Sequence, residues 1–253
     1  MLSESKELNP MSKLNEKRRL RALPELERPR TVRLKFQKIG TLQYISHLDL
    51  QRTFNRVIVR ACIPAWYTKG FNPHAKLVFS TPLSVGAQSV YEFLDIRIDR
   101  DMDCKEIMER LNRELTDELC ILDAYLPEND FSQIAWASYE IVITSDELRE
   151  DLVEAFKKTL TTSPLLLTKR TKSGEKEIDI VPLIHNLDVD WMEESKQIKL
   201  TTTLKATSTE FLNPEMLITA LKNHHGILAG DPMREWYSIL RTAVYKEDFS
   251  LFI

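Results

Sequence analysis

Apolar positions along the chain follow two periods, one of strands and one of helices. Val32, Leu34 and Phe36 alternate with Arg33, Lys35 and Gln37, the pattern of a strand with one buried face. Gly40 ends that run. Leu50, Phe54, Val57, Ile58 and Ala61 then recur at helical spacing. Ser46 suits the N-cap and Asp49 falls at N3, a variant of the capping box. Arg52, Arg56 and Arg60 line one side of this helix, and Pro64 marks the end of its region. The segment Tyr67–Pro73, with Lys69-Gly70-Phe71-Asn72-Pro73, reads as a structured loop. Strands are predicted at Lys76–Ser80 and Tyr91–Ile98. A second helix carries Ile107, Met108, Leu111, Leu115 and Leu119, and a closing strand covers Ile121–Tyr125. The order is β-α-β-β-α-β, the ferredoxin-like sequence of elements.

The second half appears in the same order. A strand at Tyr139–Thr144 leads to a helix with Leu148, Leu152, Ala155, Phe156 and Leu160. Strands follow at Leu165–Arg170, Lys176–Pro182 and Gln197–Lys205, the first two joined by a turn at Lys172-Ser173-Gly174-Glu175. Asn213-Pro214 opens a helix through Met216, Leu217, Ala220 and Leu221, Gly226 ends it, and Tyr237–Tyr245 is the last strand. The expectation is an α+β protein of two tandem ferredoxin-like units with antiparallel sheets. Residues 1–29 read as a mobile polar tail with a short helix around Lys13–Arg21. The first domain covers 30–131 and the second 132–253.

Composition narrows the class without naming a function. The 253 residues are 43% hydrophobic and 29% charged, ordinary globular values. Cys62, Cys104 and Cys120 are too far apart for a CxxC zinc site or an iron–sulfur cluster, and their odd number suits a reducing compartment. No signal peptide, no membrane association and a cytoplasmic location are expected. Net charge is −3, which excludes a globally basic nucleic-acid binder. The charge is uneven, however. Residues 31–80 hold eight basic side chains and only Asp49 as an acid, a net of +7, whereas 81–131 carry −8.

The densest polar cluster lies inside that basic block: Tyr44, Ser46, His47, Asp49, Arg52, Lys69, Asn72, His74 and Lys76. A helix N-terminus with cations beside it suits an anion such as phosphate. The same residues also suit a plain capped helix and a shaped loop. A second candidate surface is a sheet face. Arg33 and Lys35 share one face of their strand, and Tyr91, Phe93, Asp95 and Arg97 share a face of theirs. Left open, the two would set aromatics among cations, as RNA-binding sheets do. If covered, Tyr91 and Phe93 become core. The hairpin Lys169–Lys176 has four cations near its tip, suited to a phosphate backbone or to water. His224-His225 and the isolated His185 beside Asp188 and Asp190 match no metal pattern, and no Gly-rich phosphate loop, GxSxG or HExxH occurs. Neither a metal nor a cofactor is assigned.

Tyr44-Ile45-Ser46-His47-Leu48-Asp49-Leu50, Gly70-Phe71-Asn72-Pro73-His74 and Pro82-Leu83-Ser84-Val85-Gly86 together resemble the radical SAM-linked protein family, bacterial proteins of unknown function. The resemblance runs over about Val32–Tyr245 and includes Glu177-Ile178-Asp179-Ile180 and Arg241-Thr242-Ala243-Val244-Tyr245. It implies a partner radical SAM enzyme encoded nearby, since this chain lacks the cluster cysteines. Lys69, Ala75 and Val181 depart from the family pattern, where an acid, a proline and an arginine are common. The element order and the Gly-Phe-Asn-Pro loop also look like CRISPR repeat-processing endoribonucleases.

Three functions follow as expectations. The first is a non-catalytic accessory protein that binds RNA or another anionic ligand through Arg33, Lys35, Tyr44, Ser46, His47, Asp49, Arg52, Lys69, Asn72, His74 and Lys76. The second is a metal-independent ribonuclease using His47 or His74 with Lys76 or Lys69. The third is a protein-interaction module.

Overall fold

Two sets of antiparallel strands, each backed by two helices, account for most of the chain. A computed structural model describes residues 15, 19, 22–71, 73–171 and 174–253. Asn72, Lys172, Ser173 and most of the expected tail, with its helix at Lys13–Arg21, fall outside the described residues. Among the described residues the protein is α+β, with four α-helices and a large, mostly antiparallel sheet. The chain divides into two compact units. One contains Met1–Gln37, Ile45–Ser80 and Glu92–Glu128; the other contains Lys38–Tyr44, Thr81–Tyr91 and Asn129–Ile253.

The first unit runs β1 (Glu25–Lys38), α1 (His47–Arg60), β2 (Leu77–Phe79), β3 (Ala87–Arg100), α2 (Cys104–Asn112) and β4 (Ile121–Tyr125). Its strands lie in the order β4-β1-β3-β2. The β1–β4 and β2–β3 pairs are antiparallel. The alternation at Val32–Gln37 resolves as expected on its apolar side: Val32, Leu34 and Phe36 are fully buried. Phe36, Phe54 and Phe79 meet edge to face at 5.1–6.3 Å and join β1, α1 and β2 in one core. Asp103 caps α2 by accepting from the Lys105 and Glu106 N–H groups.

Strand β1 begins at Glu25, ahead of the expected Thr31. Its early residues are mostly exposed, so no apolar rhythm marks them. Polar ties hold them instead. Arg30 pairs with Asp101 at 2.6 Å, Arg100 pairs with Glu25, and the Asp101 N–H donates to the Pro24 carbonyl.

The second unit runs β5 (Trp136–Thr144), α3 (Leu152–Thr161), β6 (Leu166–Thr171), β7 (Gly174–Asp179), β8 (Ile184–Met192), β9 (Gln197–Lys205), α4 (Glu215–His225) and β10 (Trp236–Tyr245). The strand order is β10-β5-β9-β8, with every pair antiparallel. The start of β3 belongs to this unit, and its Ala87–Ser89 run parallel to Ile239–Arg241 of β10. Strands β6 and β7 form a separate two-stranded sheet. Gly226 ends α4 in the left-handed region at φ 67°, where a side chain would be strained.

Strand β8 was not expected from the sequence. Its Asp188 and Asp190 read there as polar neighbours of His185. In the structure they are the exposed positions of a period-2 pattern whose buried positions are Leu187 and Val189. Arg241 is 1% exposed and acts as a strut within this unit. Its guanidinium donates to Thr81 Oγ1, the Pro82 carbonyl and the Tyr139 hydroxyl, and lies 5.5 Å from the Tyr139 ring.

Candidate functional site

The open sheet face does not form. Phe93 is fully buried and Tyr91 is 8% exposed, with its hydroxyl donating to the Phe252 carbonyl. Arg33 is 1% exposed and bonds both oxygens of Asp95, Nε at 2.8 Å and Nη2 at 2.9 Å. A planar guanidinium fits a carboxylate in this two-point fashion, and the pair closes on itself. Lys35 stands opposite Asp123 in the β1–β4 register. Burial pulls its ammonium below the usual lysine range, and Asp123 offsets part of that. Lys38 is 3% exposed and donates to the carbonyls of Leu42 and Gln43. Arg33 and Lys38 thus use their donors inside the protein, and Lys35 is half-buried beside an acid.

The helix start is satisfied from within as well. Ser46 Oγ accepts the Asp49 N–H at 3.1 Å and donates to Asp49 Oδ2 at 2.7 Å. This is the expected capping variant, with the hydroxyl as partner of the carboxylate. Asp49 Oδ1 in turn holds Arg52 at 3.2 Å. The Ser46 hydroxyl, and then Arg52, keep the Asp49 carboxyl below its ordinary pKa. A negative charge therefore already sits on the helix pole where an anion would bind. His47 packs edge to face on Phe79, centroids 5.0 Å apart. Arg60 pairs with Glu114 at 2.6 Å. Tyr44 is 69% exposed and belongs to the other unit.

The loop Trp66–Lys76 behaves differently. Its neck is fixed by a backbone ladder. The Trp66 N–H donates to the Arg97 carbonyl, the Thr68 N–H donates to the His74 carbonyl, and Tyr67 bridges to Ala75. Thr68 Oγ1 also takes the His74 N–H and lies 3.3 Å from His74 Nδ1. The Arg97 guanidinium lies 5.9 Å from the centre of the Trp66 ring. From this neck Lys69, Phe71, His74 and Lys76 reach solvent. Gly70 turns the tip at φ 146°, with nothing within 4 Å of where a Cβ would stand. Arg56, Lys69 and Lys76 are exposed, and no carboxylate among the described residues is within ion-pair distance of them. No acidic residue occurs anywhere in 50–91.

Alternation sorts the side chains that follow the loop. Ala75, Leu77 and Phe79 are the inward positions, and Phe79 meets His47. His74 and Lys76 take the outward positions. The structure places Lys69, His74 and Lys76 on one loop and His47, also exposed, on the first turn of α1 against Phe79.

Tyr67, 41% exposed, and Phe71, 109% exposed, were not picked out as site residues from the sequence. The one signal for Phe71 is its place in Gly70-Phe71-Asn72-Pro73, among turn-forming residues. The basic hairpin tip near Lys172 and Ser173 lies outside the described residues, and so does Asn72. Behind it, Lys169 Nζ donates to the Phe211 carbonyl at 2.8 Å. His225 bonds Thr159 Oγ1 at 2.8 Å and packs on Phe156, and burial lowers its pKa. No cluster of three metal-ligating side chains occurs among the described residues, and no helix there is long and apolar enough to cross a membrane.

A family model described as an uncharacterized protein conserved in bacteria (DUF2344) matches residues 31–214. No curated protein matches the chain.

Proposed function

The chain belongs to the uncharacterized bacterial family DUF2344, and on that premise we propose that it is a non-catalytic accessory protein holding RNA or another anionic ligand for a radical SAM enzyme. One observation carries the ligand: Lys69, His74 and Lys76 are exposed on the loop that follows Trp66, within a stretch, 50–91, that has no acid. Such a surface attracts a phosphate backbone even on a chain of net charge −3. The radical SAM partner rests on the resemblance carried by the Tyr44–Leu50 and Gly70–His74 motifs. We also read each unit as ferredoxin-like and the location as cytoplasmic. The strand orders β4-β1-β3-β2 and β10-β5-β9-β8 support the fold reading, because each sets the unit's last strand beside its first and its second at the far edge. On that reading, the β6–β7 hairpin is an insertion in the second unit.

Filter binding of RNA across a salt series tests the ligand. Wild type binds with an affinity that falls as salt rises. Lys69→Ala with Lys76→Ala flattens the plot of log affinity against log salt by about 1.4, at ~0.7 per phosphate contact on a single strand. Arg52→Ala, whose partner is Asp49, leaves the slope unchanged. RNA affinity without salt dependence, or with no response to the lysine pair, removes the reading. Co-purification of the adjacent radical SAM protein after nuclease treatment tests the partner, and its absence removes that part.

A further inference from the structure

Among the described residues, no large apolar side chain is more exposed than Phe71. It stands on the tip of a loop whose neck is hydrogen-bonded on both sides. Tyr67, on the same neck, is 41% exposed. Lys69 lies between the two rings in sequence, and His74 and Lys76 follow them.

We propose that this loop takes unpaired RNA, with a base stacked on Phe71, in preference to an RNA duplex; the proposal rests on the reading of the loop as an RNA-binding surface. The reason lies in which face of the base is free. In a duplex each base is covered above and below, so a protruding phenyl ring finds only backbone, 2′-hydroxyls and groove edges. In an unpaired strand the base faces are open, and an exposed aromatic ring can cover one whatever the base. The cations beside the rings then meet the phosphates on either side of the stacked base. Because the neck is already tied by its own hydrogen bonds, binding need not order it. The lack of acids in 50–91 also leaves no carboxylate in that stretch to repel the strand as it passes.

The test uses the full chain with a single-stranded oligouridylate and an RNA duplex of equal length, at matched salt. The unpaired strand is expected to bind at least about tenfold tighter. Phe71→Ala should lower that affinity by roughly tenfold without changing the salt slope, since it removes a stack and no charge. Phe71→Trp should retain it. Phe71 is fully exposed, so neither substitution disturbs the core. Equal binding of the duplex, or an unchanged Phe71→Ala, overturns the stacking proposal while dependence on Lys69 and Lys76 keeps the RNA reading. Binding of neither RNA overturns both. Loss of a protein partner on Phe71→Ala, with RNA affinity intact, assigns the ring to a protein contact and overturns the proposal.

Discussion

Arg33 and Lys76 come from the same basic stretch of sequence. One is 1% exposed behind Asp95, and the other faces water on the way into β2. The difference extends to their surroundings. From β1 through α1, most charged groups of the first unit answer one another, with Arg56 the exception. Arg33 meets Asp95, Lys35 faces Asp123, Ser46 and Asp49 cap the helix, and Arg60 meets Glu114. Three of those acids come from residues 81–131, the segment whose net charge is −8. The fold sets the acidic block against the basic one and cancels much of it. Among the described residues, Lys69 and Lys76 on the loop have no carboxylate within ion-pair distance. A charge run in sequence is therefore a poor guide to a charged surface until the positions of its counter-charges are known.

Removing Arg33 should have the largest effect. Arg33→Ala leaves Asp95, whose side chain is 16% exposed, without the guanidinium that bonds both its oxygens. Breaking a buried pair by one partner costs about 3–5 kcal/mol. A strongly lowered urea midpoint is expected, and RNA affinity per folded molecule should not change. Replacing both residues by apolar ones of similar volume should recover much of the loss. A mild Arg33→Ala would mean that the pair is less sequestered than its geometry implies.

The helix cap comes next. Ser46→Ala removes the acceptor for the Asp49 N–H and should cost about 1 kcal/mol by urea unfolding. If Ser46 instead held a ligand anion, its loss would weaken RNA binding at unchanged stability. The loop pair Lys69→Ala and Lys76→Ala should behave in the opposite way. Stability should stay within about 0.5 kcal/mol, as for surface positions without a buried partner, while the salt slope falls. A cap substitution that weakened RNA binding, or a loop pair that unfolded the protein, would erase the contrast.

Much of this contrast lay beyond what sequence can state. Alternation at Val32–Gln37 tells which side chains share a face, and that held: Val32, Leu34 and Phe36 are core. It does not tell whether the other face is covered. Arg33, Tyr91 and Phe93 were assigned correctly to faces, yet they are buried. Caps are local, so Ser46, Asp49 and Gly226 were legible from a few neighbouring residues. Strand β8 was missed because Asp188 and Asp190 drew attention as chemistry when they were the wet side of a strand. Phe71 was missed for the opposite reason. An apolar side chain in a loop is ordinarily assumed to fold inward, and only the folded structure shows it standing out.

The smallest effect concerns the charge on the helix pole. The Ser46 hydroxyl and Arg52 hold the Asp49 carboxyl below its usual pKa. A carboxylate whose folded pKa is lowered adds stability above the unfolded value, about 3.9 for aspartate. That contribution fades as pH drops through the folded value. Asp49→Asn removes the charge and keeps a side chain that can still bond Ser46. The stability gap between wild type and Asp49→Asn should thus be present at neutral pH and close on the acid side of about pH 4. Urea midpoints of both proteins across that range measure it. A gap that stays constant through the acid range would show that the Ser46–Asp49 contact acts through geometry alone. The helix start would then have a charge to offer an incoming ligand, and the line drawn between it and the loop would move.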